Sequence, residues 1–289
     1  MEVMATTTRL ERGALIAMND RKLTVSIGKN KFDTEWIPTI GKWSQFVDVL
    51  LKEHRTNETF EEFQNMSDER RGIIKNGRAY VGGNVVGGNR KSVNVRGRDL
   101  VTLDMDHPDR TVNEICQMIK KSGYEAVIYT THSATKENPR MRIVVPLART
   151  VSADIFSPIA RVVAFKLGMG LDIYDDTSYQ EARLMYFSST ARDGYHFATH
   201  ITGEFVDPDA ILLELNIDID DETTWPRSSR QQKIRNRRKK SDVVITDDNS
   251  PTLQNAFNRV YCVDSAVETF LSDVYEYAHA DRYTYLLSN

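Results

Sequence analysis

The 289-residue chain has only two cysteines, Cys116 and Cys262, and they lie too far apart to form a close metal-binding pair. A disulfide framework and a cysteine-ligated zinc site are therefore not expected, and a reducing, cytoplasmic compartment is the natural setting. The sequence also lacks the run of about 18 apolar residues that a membrane span requires, and its first residues lack the apolar core of a secretory leader. We expect no membrane partner.

The chain has little net charge, because 38 Lys and Arg nearly balance 41 Asp and Glu. This balance does not exclude nucleic-acid binding, since the distribution of charge matters more than its sum. Eight basic residues and no acidic one lie between residues 227 and 240. Blocks of like charge favour disorder, so residues 221–250 are predicted to be a basic flexible linker, although such a run would also attract nucleic acid.

Strand-like and helix-like segments alternate through the first 220 residues. Apolar runs with a period of two predict strands, and apolar residues at helical spacing predict helices. The predicted strands are 23–27, 100–103, 126–129, 140–146 and 183–188, and the predicted helices are 44–54, 59–74, 111–122 and about 152–167. This order predicts an α+β fold, with helices packed against a sheet.

The sequence divides into three parts by composition. Residues 1–220 are predicted to form the main domain, with an N-terminal α/β lobe (1–95) and a sheet core (96–220). The basic linker follows, and residues 251–289 carry apolar positions at helical spacing. Residues 283–289 are apolar and strand-like without a cap, so we expect a further C-terminal region in the natural protein.

Two carboxylates close the strand that begins near Leu100. Asp104 and Asp106 are two positions apart, so a strand projects both from the same face. Two adjacent carboxylates repel each other and are unfavourable to bury, and a divalent cation removes that penalty. The alternative is a polar turn after the strand, since the sequence Asp-x-Asp-His-Pro is also typical of turns.

Three other segments carry polar side chains suited to phosphate chemistry. His132 and Ser133 follow the next predicted strand, and Arg140 and Arg142 share one face of the strand after that. An acidic turn, 172–176, comes before Arg183. Carboxylates bind Mg²⁺ or Mn²⁺ through oxygen, and the arginine fork matches phosphate, so together these groups predict metal-dependent phosphoryl transfer. Solvated arginines and structural acid–arginine pairs are the alternative interpretation.

The ordered set of motifs resembles the archaeo-eukaryotic primase superfamily. The resemblance is carried by Asp104-x-Asp106, by residues 129–147 (Y-T-T-H-S-A-T-K-E-N-P-R-M-R-I-V-V-P-L) and by residues 174–189 (Y-D-D-T-S-Y-Q-E-A-R-L-M-Y-F-S-S). It covers roughly residues 75–205 and is similar to the primase-polymerase domains of phage and mobile-element replication proteins, which have an RRM-like sheet core. In those proteins a helicase commonly follows the primase, and residues 259–275 resemble the joining segment.

The resemblance implies a site for two-metal nucleotidyl transfer. Asp104, Asp106 and a third acid would be the catalytic metal ligands. Asp175 has the expected spacing to Arg183, and Asp172 and Asp176 remain alternatives. The family's second motif places a His on a strand, but Arg142 stands there in this sequence and His132 lies earlier. The residues that would bind nucleotide are His132, Ser133, Arg140, Arg142 and Arg183.

The implied activity is primer synthesis on a single-stranded DNA template from NTPs or dNTPs, with Mg²⁺ or Mn²⁺ as cofactor. The implied partner is a fused or associated helicase, and the compartment would be the bacterial host cytoplasm if a phage encodes the protein. Two other functions stay open. A metal-dependent nuclease could use the same acids, and a non-catalytic origin-binding module could hold them for structure alone.

Overall fold

The computed structural model describes residues 20–106 and 108–241, with side chains as far as residue 235. Nine strands and seven α-helices lie in this part of the chain. The strands are β1 Lys22–Gly28, β2 Ile37–Lys42, β3 Ala79–Val81, β4 Gly83–Val85, β5 Val95–Met105, β6 Ala126–Thr130, β7 Met141–Ser152, β8 Met185–Tyr186 and β9 Ala198–Ile201. The helices are α1 Trp43–Leu51, α2 Phe60–Asn65, α3 Asp68–Lys75, α4 Val112–Ser122, α5 Phe156–Lys166, α6 Pro208–Glu214 and α7 Ser229–Ser241.

The strands form two antiparallel sheets, and the predicted α+β class is confirmed. The first sheet has the order β2-β1-β3-β8 and the second has the order β4-β5-β7-β6-β9. β8 lies more than 100 residues after β3 in the sequence, yet the two strands pair, so the N-terminal segment shares its sheet with the later chain. No described helix is long and apolar enough to cross a membrane.

The central strands of the second sheet are covered on both faces. Val101, Leu103 and Met105 pack into one apolar cluster, which includes residues of α4 and α5. Leu100 points the other way, into a second cluster that contains α1 and Tyr80 of the first sheet. The strands are therefore buried throughout, which explains their nearly continuous apolar sequence. Asp104 belongs to the face of Leu100, because side chains alternate along a strand.

The predicted helix over residues 59–74 is two helices. Thr59 accepts a hydrogen bond from the backbone of Glu62 and begins α2, and Ser67 accepts one from the backbone of Arg70 and begins α3. The apolar spacing alone did not reveal the second cap. Correct caps stabilise a helix start by about 1 kcal/mol, enough to favour a new start over one continuous short helix.

Residues 221–241, predicted as flexible linker, include a regular helix. α7 begins at Ser229, whose backbone N–H and Oγ both donate to the Asp172 carboxylate at 2.7 Å. This acid lies 57 positions earlier, so a window confined to the basic run contains no sign of it. The remainder of the predicted linker and the predicted helical segment 251–289 lie outside the described residues.

Gly83 allows β4 to approach β5 closely. A Cβ at this position would lie 2.1 Å from the backbone oxygen of Gly97 and 2.8 Å from Cα of Arg98. We expect Gly83→Ala to destabilise the fold by about 3 kcal/mol, because backbone cannot move aside cheaply. Gly77→Ala is the control, since a Cβ added at Gly77 would have no other atom within 4 Å. Urea unfolding measures both, and equal midpoints for the two variants would contradict this interpretation.

Candidate functional site

The site lies where β5 and β7 end side by side. Asp104 and Arg142 are direct partners in the register of these strands. Asp104 Oδ1 and Arg142 Nε are 3.4 Å apart, and Arg142 Nη1 donates to the backbone oxygen of Tyr186 at 3.1 Å. Both side chains are about 90% buried. Burial opposes the charged form, but the Asp104 carboxylate raises the pKa of Arg142 above its usual value.

Asp106 and Arg140 form a second acid–base pair beyond the strand ends. Nε of Arg140 donates to Oδ1 of Asp106 at 3.1 Å, and its Nη2 donates to the same oxygen. This pair is more exposed than the first. The sequence placed the two acids on one face and the two arginines on one face. In the structure the two strands are neighbours, and each acid lies beside one arginine.

Asp175 is the acid of the 172–176 turn that reaches Asp104. Its backbone N–H donates to the Asp104 carbonyl oxygen at 2.8 Å. Asp172 and Asp176 point elsewhere, because they accept hydrogen bonds from Ser229 and Ser228. Burial would raise the pKa of the Asp175 carboxyl, but hydrogen bonds from Thr177 and the charges of Arg183 and Arg230 hold it below its ordinary value.

Arg183 joins two of the three acids. Its Nη2 lies 2.9 Å from Oδ2 of Asp175 and 3.7 Å from Oδ2 of Asp104. Three buried atoms here make no hydrogen bond: Asp104 Oδ1, Arg142 Nε and Arg183 Nε. Asp104 Oδ1 and Arg142 Nε face each other as the ion pair described above, without the geometry of a hydrogen bond. Buried polar atoms are normally hydrogen-bonded, so this cluster is held by charge attraction more than by hydrogen bonds.

The acids of the cluster are the residue type that would bind a divalent cation. Within residues 20–106 and 108–235, no three His, Cys, Asp or Glu side chains are grouped as metal ligands. Asp104 and Asp175 converge on one guanidinium group, whereas Asp106 pairs with Arg140. A cation between two carboxylates is the charge arrangement that Mg²⁺ or Mn²⁺ would need, so the residue types fit such an ion.

His132 and Ser133 precede the two arginines in the sequence, and each of them has its own set of contacts. His132 is buried, and its ring nitrogens bond to Ser189 Oγ at 3.2 Å and to Glu58 Oε1 at 3.1 Å. Both nitrogens are thus engaged by the protein. Ser133 Oγ accepts a hydrogen bond from Lys75 Nζ at 3.4 Å. Of the two, Ser133 is the more exposed to solvent.

Lys75 and Glu58 are two polar residues of this region that sequence reasoning missed. Burial and the charges of Arg140 and Arg71 lower the pKa of Lys75, although Asp106 opposes them. Lys75 is therefore close to the Asp106–Arg140 pair and adds a cation there. Neither residue belongs to a recognisable motif. Lys75 is the last residue of α3, and 58 positions separate it from Ser133.

The buried imidazoles make stability depend on pH. Burial lowers the pKa of His132, against the opposing effect of Glu58, and it also lowers the pKa of His196. Between these lowered values and the ordinary value of about 6.5, the unfolded chain binds more protons than the folded one, so stability falls on acidification. We expect His132→Gln, whose amide can both donate and accept, to show a weaker pH dependence of the urea midpoint between about pH 7 and pH 5. A dependence equal to that of the wild type would contradict this.

The fold and the paired acids and arginines define an α+β protein with a polar site at the ends of its central strands. The sequence matches the model of the VapE N-terminal domain family over residues 9–228, so the chain belongs to this family. Among curated proteins, none matches the sequence.

Two solved structures are similar to this chain. The AEP domain of the primase-polymerase of cyanophage S-2L is 11% identical, with a TM-score of 0.36, and the match covers 71% of this chain and 94% of that one. Primase RepB' is 14% identical, with a TM-score of 0.34, and the match covers 79% of this chain and 66% of that one.

Proposed function

We propose that this protein is a primase-polymerase, which joins nucleotides on a single-stranded DNA template. The observation that supports this most directly is the convergence of Asp104 and Asp175 on Arg183, beside the buried Arg142. A site for phosphoryl transfer needs carboxylates for a cation and fixed cations for a triphosphate in the same place. This cluster has both, and three of its buried polar atoms make no hydrogen bond. Membership of the VapE N-terminal domain family is compatible with a role in replication.

Each side chain of the cluster has a defined part in this proposal. Asp104, Asp106 and Asp175 would hold Mg²⁺ or Mn²⁺. When bound, such an ion stabilises charge on the transferred phosphoryl group and lowers the pKa of the attacking hydroxyl. Arg142, Arg140 and Arg183 would bind phosphate oxygens, and their contacts with Asp104, Asp106 and Asp175 already orient them at the site.

The cationic groups would divide the triphosphate between them. Arg142 and Arg183 lie with Asp104, whereas Arg140 lies with Asp106. Lys75 and Ser133 extend the second group. His132 is also a predicted nucleotide contact, and its bonds to Glu58 and Ser189 support a role in holding the Ser133 loop in place. A fused or associated helicase remains part of the proposal.

Primer synthesis tests the proposal directly. The full chain is incubated with circular single-stranded DNA, Mg²⁺ or Mn²⁺, and labelled NTPs or dNTPs in separate reactions. We expect template-dependent products with at least one nucleotide pool, and none without a template. A parallel reaction with end-labelled DNA, Mn²⁺ and no nucleotides measures cleavage. Cleavage without synthesis would replace the proposal by the nuclease, and inactivity in both reactions would favour a non-catalytic module.

A further inference from the structure

The basic helix α7 is attached to the same turn that carries Asp175. Ser228 Oγ donates to the Asp176 carboxylate at 3.0 Å, and Ser229 donates twice to Asp172. In the first turn of α7, Gln231 accepts a hydrogen bond from Arg161, which lies over the ring of Tyr179. Two of these contacts fix the start of the helix against the acidic turn, and the third joins it to α5. This arrangement would be unnecessary for a loose linker.

The composition of α7 indicates that it needs a partner. Its 13 residues, S-R-Q-Q-K-I-R-N-R-R-K-K-S, contain no acid, so no pair of opposite charges three or four positions apart forms within the helix. Like charges at that spacing destabilise a helix. It also has no apolar stripe that could pack on a core or enter a membrane surface, since Ile234 is its only large apolar residue. A flexible polyanion is the partner that would offset this repulsion.

The described cations of α7 are accessible to solvent, since Arg230 and Lys233 are exposed and Arg235 is partly exposed. Arg230 follows Ser229, which is bonded to Asp172 of the acidic turn. The Arg230 charge is also among those that lower the pKa of Asp175. A strand that follows α7 toward its N-terminal end would therefore arrive at the acidic turn.

We propose that α7 binds the sugar–phosphate backbone of single-stranded DNA and leads it to the turn of Asp175. This inference rests on the proposed function for the identity of the strand, and on the three contacts of α7 for its position. Binding is through phosphates and is independent of base sequence. Asp172 and Asp176, which bind Ser229 and Ser228, thus connect the template-binding helix to Asp175, the acid of the same turn that contacts Asp104.

Fluorescence anisotropy with a labelled single-stranded oligonucleotide tests the inference. The variant Arg230→Gln, Lys233→Gln, Arg235→Gln keeps Ser228, Ser229 and Gln231, and glutamine is a good helix former. We expect its affinity to fall by about 10- to 100-fold near 0.1 M salt, and the salt slope of log K to decrease in magnitude by about 2, from roughly 0.7 per lost phosphate contact. The affinity of the wild type must itself fall linearly with salt on a log–log plot, because binding is through phosphates.

A matched variant controls for net charge. Lys52→Gln, Lys120→Gln, Lys121→Gln removes three exposed lysines from the end of α1 and the last turn of α4. We expect it to bind within about threefold of wild type. An equal loss in both variants, or no loss in the α7 variant, would overturn the inference. Tighter α7-dependent binding of a duplex of the same sequence would overturn the assignment to a single strand.

These measurements use EDTA and no nucleotides, so they do not depend on catalysis. If the wild type binds DNA through α7 but makes no primers, the proposed function fails and the interface stands. If it makes primers while the α7 variant binds DNA as well as wild type does, the interface fails and the function stands. Circular dichroism and thermal unfolding show whether the α7 variant has kept its fold.

Discussion

Asp104→Asn and Asp175→Asn should each lower kcat for primer synthesis by about 10²- to 10³-fold, the usual effect of removing one preorganised electrostatic group. Asn is nearly isosteric with Asp but does not carry the charge that a cation needs. Asp106→Asn belongs to the same group by its motif. The measurement is the initial rate at saturating template and nucleotide, with each variant compared at equal folded concentration.

Asp172→Asn and Asp176→Asn are the matched controls, because they change acids of the same turn that face α7 rather than Asp104. We expect them to leave kcat within about threefold of wild type. If they alter anything, it should be the KM for template, through the start of α7. A large loss of kcat in Asp172→Asn, with Asp175→Asn active, would show that Asp175 is the wrong member of the turn.

The Asp104 variant has a second expected effect, on stability. The Arg142 guanidinium is buried beside this carboxylate, and removal of one partner of a buried pair destabilises by about 3–5 kcal/mol. Adding Arg142→Met should recover most of that loss, since no buried charge then remains unpaired, and it should not restore activity. Stability and catalysis can thus be separated at one position. Failure of Arg142→Met to recover stability would mean that the pair is not coupled.

The sequence was sufficient to place the acids and arginines on their strands, but not to show that they face each other. The alternation of side chains put Asp104 with Asp106, and Arg140 with Arg142, because that relation is local. Which residue lies opposite Asp104 depends on the register between β5 and β7, and these strands are joined by a helix, another strand and three loops. Register over such a distance is set by tertiary packing.

The acids of the 172–176 turn show the same limit of local sequence information. Asp172, Asp175 and Asp176 are chemically equivalent in the sequence, and all lie in one short polar segment. What distinguishes them is Ser228 and Ser229, more than 50 positions later, which engage two of the three. Lys75 was missed for a similar reason, since its contact with Ser133 joins distant parts of the chain.

Arg98 contacts the segment that precedes Arg183, and its guanidinium is fully buried. It donates to the backbone oxygens of Gly82 at 3.2 Å, of Leu100 at 3.1 Å and of Glu181 at 2.6 Å. It also lies over the ring of Phe156. Burial lowers the pKa of Arg98 to about 10, which is still far above neutrality, so the side chain keeps its charge. The charge is shared among carbonyl dipoles, and it fixes the segment that leads into Arg183.

Arg98→Met is expected to destabilise the protein by about 3 kcal/mol or more. Two effects oppose each other. Removal of a buried charge is favourable, but it takes a donor from the buried carbonyl oxygens of Leu100 and Glu181, at about 1–3 kcal/mol each. We expect the second effect to dominate, because methionine offers no hydrogen bond to either oxygen, whereas the Gly82 oxygen keeps the backbone donors of Asp99 and Leu100. Arg96→Met, two positions earlier on the same strand and exposed, should change stability by no more than about 0.5 kcal/mol.

Urea unfolding gives the two free energies, and hydrogen exchange shows where the effect is felt. In Arg98→Met, amides of residues 180–183 should exchange faster relative to those of α4, since the carbonyl of Glu181 loses its donor. Loosening there reaches Arg183, and through it both Asp175 and Asp104. If the variant is as stable as wild type, the unfavourable free energy of burying the Arg98 charge must equal the free energy of its hydrogen bonds. In that case Arg98 does not organise the turn.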